Sequence, residues 1–130
     1  MGSTIFSRIN TILTNNKYKI VETDESSIII RFQLNTMHIY PSDQDDNFVS
    51  VLLPNFAPID SESDKGAFLE RCQRLNLEMK VVKIYSLRDI IVASYEFYFQ
   101  NDDDLEFNIK QSFKSLISAK VAYNKLEQTD

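Results

Sequence analysis

The sequence predicts an α+β fold, a single antiparallel sheet with helices packed on it, in the order α-β-β-β-β-α-β-β-α. Three observations lead there. Apolar residues recur at helical spacing in three stretches, near the start, in the middle and at the end of the chain. Short β-branched runs separated by polar turns fill the interval between the first two. Between the second and the third, two apolar runs are separated by little more than Arg88-Asp89, as in a hairpin with almost no loop.

Residues 3–15 read as the first helix, capped by Ser3 or Thr4, with Ile5, Phe6, Ile9, Ile12 and Leu13 as its apolar stripe. Asn15-Asn16 ends it, because asparagine accepts the left-handed backbone at which helices stop. Residues 18–22 read as the first strand, Asp24-Glu25-Ser26 as a polar turn and residues 27–34 as a strongly β-branched second strand. Asn35-Thr36 is the expected tight turn into a third strand, residues 37–40. A solvated loop over residues 41–47 precedes the fourth strand, residues 48–53, which Pro54 closes. Residues 54–60 read as irregular, since Pro58 argues against a central strand.

Ser61 or Ser63 is the expected cap of the second helix, with Glu62 and Asp64 in the first turn where the helix dipole favours acids. Its inward residues are Phe68, Leu69, Cys72, Leu75 and Met79. Residues 81–87 and 90–100 form the hairpin. In its second strand Ile91, Ala93, Tyr95, Phe97 and Phe99 share one face, and Ile90, Val92, Ser94, Glu96 and Tyr98 share the other. Asn101 and the three aspartates after it start the last helix. Its inner stripe is Leu105, Ile109, Phe113, Leu116, Lys120 and Tyr123, with Lys120 snorkelling. No linker, repeat or low-complexity segment divides the chain, so residues 1–130 read as one domain.

The second half carries a family resemblance. Its residues are Phe68-Leu69-Glu70-Arg71-Cys72-Gln73-Arg74-Leu75-Asn76 running into Lys80-Val81-Val82-Lys83-Ile84-Tyr85, then the turn Leu87-Arg88-Asp89, the strand Ile90-Ile91-Val92-Ala93-Ser94-Tyr95-Glu96 and the acidic helix start. A helix ending near an asparagine, a hairpin and an acid-capped helix resemble the YbjN domain family of candidate sensory transduction regulators. That family shares its fold with the type III secretion chaperones. The resemblance implies a type III secretion chaperone-like fold and a dimerising, non-catalytic scaffold, and it supplies no biochemical activity. The chain departs from the family at the hairpin turn, where members often have Asp-Gly. Arg88-Asp89 would be strained in a type I′ turn, which points to a longer loop.

Composition removes several function classes. With 130 residues and 43% hydrophobic content, the chain can build a core without disulfides or metal. Such a domain buries about two thirds of the surface its unfolded form exposes. Cys72 is the single cysteine and has no partner for an intramolecular bridge. The start Met-Gly-Ser-Thr-Ile-Phe lacks a basic region followed by an apolar run, so no signal peptide is expected. No apolar run approaches the roughly 20 residues that span a bilayer. The expectation is a cytoplasmic protein. The formal charge is −5, from 19 acidic against 14 basic residues. The basic residues are scattered among acids, so neither nucleic acid nor membrane is an expected partner. With only Gly2 and Gly66, neither a phosphate-cradling loop nor a dinucleotide fingerprint can be built.

No catalytic, cofactor-binding or metal-binding residue is assigned. His38 is the only histidine and reads as exposed or hydrogen-bonded on the third strand, on the same face as Tyr40. Cys72 falls in an apolar stripe, where a thiol resists ionisation. Asp102-Asp103-Asp104 reads as a helix start, and neither it nor Asp43-Gln44-Asp45-Asp46-Asn47 has the central glycine of a calcium loop.

If the helices lie on one side of the sheet, the other side is covered or wet. Strand faces such as Ile29-Arg31-Gln33 and Val92-Ser94-Glu96-Tyr98 mix apolar and polar residues as a half-exposed face would. Val92, Ser94, Glu96, Tyr98, Ile29 and Arg31 are therefore the candidate protein interface, meeting another protein, a peptide segment or a second copy in a homodimer. The expected function is a non-enzymatic protein-binding domain, a chaperone or regulatory adaptor. The alternative is a small-molecule or cation sensor using a pocket between helix and sheet or the acidic clusters.

Overall fold

The computed structural model describes residues 2–42, 44–45, 47–58, 62–78, 82–87 and 90–129. Among these the elements are α1 (Gly2–Asn15), β1 (Lys19–Thr23), β2 (Ile28–Phe32), β3 (Asn35–Pro41), β4 (Phe48–Pro58), α2 (Glu62–Glu78), β5 (Val82–Leu87), β6 (Ile90–Tyr98) and α3 (Asp102–Thr129). The strands form a six-stranded sheet in the order β1-β2-β3-β4-β6-β5. Every neighbouring pair is antiparallel. This is the element order and the single antiparallel sheet that the sequence predicts.

Register puts one apolar residue from each of five strands in line. Ile28 faces Ile39, Ile39 faces Val51, Val51 faces Tyr95 and Tyr95 faces Val82. Side chains alternate along a strand, so Ile30, Met37, Val49, Leu53, Ala93, Phe97 and Ile84 point the same way. All are buried in one core with Ile9 and Leu13 of α1, Cys72 and Leu75 of α2, and Leu105, Ile109, Phe113, Leu116 and Tyr123 of α3. α1, α2 and α3 therefore cover the same face. Burying each large apolar side chain contributes about 1.5–3 kcal/mol, and this layer is the main source of stability. Tyr18, Phe32 and Phe113 form an aromatic cluster under α3, with ring centroids 5.0–5.7 Å apart.

Helix boundaries differ from expectation for local reasons. α1 ends in a Schellman motif. The amide of Tyr18 donates to Leu13 O at 3.0 Å and that of Lys17 to Thr14 O at 3.1 Å. The left-handed residue is Lys17, at φ 62°, rather than Asn15 or Asn16. Asn16 instead turns its side-chain amide back to Ile12 O at 2.8 Å. Ser3 and Thr4 fall inside α1, and Ser63 inside α2, so none of them is a cap. Ser61 and Met79 lie outside the described residues, as does the side chain of Phe68. Leu69 was expected inward but is 61% exposed. The face of α2 centred on Cys72 and Leu75 leaves it roughly a quarter-turn to the side.

The sheet carries three further corrections. The β2–β3 turn is at Gln33-Leu34, not Asn35-Thr36, because Phe32 pairs with Asn35. Both turn residues are left-handed, at φ 50° and 66°. This is the I′ arrangement that suits strand twist, built without glycine at a cost of about 1–2 kcal/mol per residue. β3 extends through Pro41, which is buried rather than part of a solvated loop. β4 continues past Pro54, pairing Pro54 with Val92 and, after a register shift, Pro58 with Ile90. Its pairing with β3 stops at Leu52, so beyond that point one side of β4 is an edge and a proline there removes no ladder bond. Leu87 pairs directly with Ile90, so only two residues join β5 to β6, and the longer loop expected there is not formed. Arg88 and Asp89 themselves lie outside the described residues.

Candidate functional site

The alternation that buries one face assigns the residues of the other. Ile29, His38, Leu52, Ser94 and Lys83 form a row across β2, β3, β4, β6 and β5. Tyr40, Ser50 and Glu96 form the next row. Phe48 faces Tyr98 beyond it, and on the other side Pro54, Val92 and Tyr85 align. None of α1, α2 or α3 lies over this surface. Val92 is only 1% exposed yet is not part of the core beneath the helices.

All six residues of the predicted interface are on this face, and the structure brings them together as one surface. They do not contribute equally. Val92 and Ser94 are buried, at 1% and 5% exposure, on β6, an interior strand of the sheet. Tyr98 is 64% exposed, Glu96 and Arg31 are exposed and Ile29 is half-buried. Sequence reasoning missed Phe48, Leu52 and Tyr85, which add partly exposed apolar side chains to the face. Their spacing of two along each strand was readable, but only the register of β4 and β5 against β6 sets them on this side.

The polar groups of the face hold one another in place. Ser50 Oγ donates to the Glu96 carboxylate at 3.0 Å. His38 Nδ1 meets the Tyr40 hydroxyl at 3.3 Å, and the two rings stack. The rings of Phe48 and Tyr98 approach to 4.7 Å between centroids, a geometry that contributes about 0.5–1.5 kcal/mol beyond area burial. Burial pushes the Tyr85 phenol above its ordinary pKa; a hydrogen bond from Ser94 opposes this and the Glu96 carboxylate adds to it. The face offers aromatic and aliphatic area with a few hydrogen-bonded polar groups.

The outermost strands, β5 and β1, each carry a feature that hinders strand addition. On β5, Asn76 of α2 donates its side-chain amide to Ile84 O at 3.0 Å and accepts from Ile84 N at 2.8 Å. It occupies the positions that a seventh strand would use. β1 is five residues long, carries a bulge between Ile20 and Glu22, and presents Lys19 and Glu22. Short, bulged, charged edges resist strand addition.

The other groups singled out in the sequence have structural partners. Burial pushes the Cys72 thiol up to about 12. Asn101 caps α3, its side chain accepting from Asp104 N at 2.8 Å, and Asp104 reaches back to Gln100 N at 3.0 Å. Asp102 pairs with Arg8 of α1, whose guanidinium also lies over the Phe99 ring. Asp43 and Asp46 lie outside the described residues; among those described, no three histidine, cysteine or acidic side chains gather as metal ligands. No described helix is long and apolar enough to cross a membrane.

No protein-family model and no curated protein matches the chain. Solved structures do. YbjN from E. coli, a candidate transcription regulator, superposes with a TM-score of 0.75 at 11% identity, over 94% of this chain and 93% of that one. The Yersinia pestis type III secretion chaperone SycH, solved in complex with a stable fragment of YscM2, gives 0.65 at 16% identity, over 92% and 98%. An uncharacterized protein from Methanothermobacter thermautotrophicus gives 0.61 at 13%, over 93% and 97%. At such identities the likeness concerns the fold. The resemblance carried by the second half of the chain thus holds for the whole architecture, and the chain has the α+β fold common to YbjN and the type III secretion chaperone SycH.

Proposed function

We propose that the chain is a non-enzymatic protein-binding domain, a chaperone or regulatory adaptor, that acts in the cytoplasm as a homodimer. The partner meets the sheet face bearing Ile29, Arg31, Leu52, Tyr85, Glu96 and Tyr98. One observation carries the reading: the described helices pack on one side of the sheet, and the other side carries a mixture of aromatic, aliphatic and hydrogen-bonded polar side chains, with Tyr98 64% exposed. The guarded edges favour docking on the face over addition of a strand. The SycH structure, a chaperone of this fold holding a polypeptide fragment, supports a polypeptide as the partner class.

Sedimentation equilibrium tests the dimer. The wild-type chain is expected at twice its 15.1 kDa mass, and Tyr98→Glu, which places a charge at the most exposed aromatic of the face, at the single-chain mass with its circular dichroism unchanged. The same mass for both proteins would remove the face from the dimer.

A further inference from the structure

A second site lies at the margin of the sheet. The β2–β3 turn, the Leu53-Pro54 segment of β4 and Lys120 of α3 enclose a cleft of about 310 Å³. This is at the small end of the range for ligand pockets. Its polar wall is Asn35, Thr36, His38 and Lys120, and its apolar wall is Leu34, Leu53 and Pro54.

The charge in this cleft is unusual for the chain. Acidic residues outnumber basic ones 19 to 14, yet no acidic residue among those described lines it. Lys120 is half-buried and donates to Asn35 Oδ1 at 2.8 Å. Asn35 is fixed in turn, because its Nδ2 donates to Gln33 O at 2.9 Å, which aims the side-chain oxygen at the ammonium. An ammonium has three donors, and this neutral contact uses one.

The rim is held in a costly conformation. Gln33 and Leu34 are both left-handed without being glycine, and Leu34 stands 92% exposed at the cleft. Strain of this kind concentrates at ligand clamps. A leucine kept bare at such a rim is placed to close over an apolar group.

We propose that this cleft binds a carboxylate carried on a short apolar group. Lys120 and the Thr36 hydroxyl hold the charge, while Leu34, Leu53 and Pro54 hold the carbon. A single ammonium with no arginine fork and no glycine loop suits a monoanionic carboxylate better than a phosphate, which draws on more donors. The carboxylate can come from a small organic acid or from the C-terminus of a peptide ending in an apolar residue. The site does not depend on the sheet face being an interface.

Amide chemical-shift mapping on the full chain tests it, with N-acetyl-leucine, N-acetyl-leucinamide and acetyl-Ala-Ala-Leu as probes. N-acetyl-leucine is expected to shift Asn35, Thr36, His38 and Lys120 at millimolar concentration, and the amide to bind at least about tenfold more weakly, since it lacks the charge. The tripeptide binding more tightly than the single residue assigns the site to peptide termini; equal binding assigns it to small acids. Lys120→Met is expected to lose about tenfold in affinity and Lys120→Arg to keep most of it. Equal binding of acid and amide on the unaltered chain, or shifts confined to other residues, would overturn the proposal even if Lys120→Met does not fold.

Discussion

The side chain of Asn76 completes the hydrogen bonding of Ile84, donating to its carbonyl at 3.0 Å and accepting from its amide at 2.8 Å. One amide side chain thereby anchors the end of α2 to the outer edge of the sheet. Asn76→Ala leaves both main-chain groups without a partner and is expected to cost about 1–3 kcal/mol in urea unfolding. The same variant opens the edge of β5, so light scattering is expected to show association that grows with concentration. Unchanged stability together with an unchanged scattering profile would mean that the bidentate pair has no role at the edge.

Phe113 and Phe107 sit on the same helix and separate core from surface. Phe113 is fully buried against Tyr18 and Phe32, whereas Phe107 is 63% exposed. Phe113→Ala is expected to lose about 3–5 kcal/mol through lost burial and a residual cavity. Phe107→Ala should stay within about 0.5 kcal/mol of wild type. Comparable losses in denaturant titrations of the two variants would contradict the placement of the core.

Cys72 links stability to alkaline pH. In the unfolded chain the thiol ionises from about pH 8.5, while the folded chain holds its proton up to about 12. Above pH 8.5 the unfolded state can release a proton that the folded state retains, so the contribution is complete below that pH and falls as pH rises towards 12. The urea midpoint of the wild type is expected to drop between pH 8 and pH 10 by more than that of Cys72→Ala. The native thiol should also resist a disulfide reagent at pH 8 until the chain unfolds. Parallel midpoints, or rapid labelling of the native protein, would show that the thiol is accessible.

The parts of the fold written in periodicity were legible in the sequence. Ile91, Ala93, Tyr95, Phe97 and Phe99 alternate so regularly that their common burial follows from the pleat, and the inner stripe of α3 follows from helical spacing. What the sequence did not disclose depends on pairing. Phe48, Leu52 and Tyr85 join the bare face only through the register of β4 and β5 against β6. Turn chemistry misled at Gln33-Leu34, where neither residue favours positive φ and the Asn35 beside them does. Asn76 was visible as the polar end of a helix, and its role emerged only with β5 lying beside it. Lys120 was correctly placed on the inner stripe; the asparagine it reaches is 85 positions away, beyond any local pattern.

Photo-crosslinking in the native cell tests the bare sheet face most directly, because Tyr98 and Phe107 are equally exposed, at 64% and 63%, on different surfaces of the molecule. A photoreactive phenylalanine in place of Tyr98 is expected to give one dominant adduct whose mass is the 15.1 kDa chain plus a second polypeptide, either another copy or a partner. The same group in place of Phe107 should give none. Adducts from Phe107 with none from Tyr98, or equal yields from both, would contradict the account.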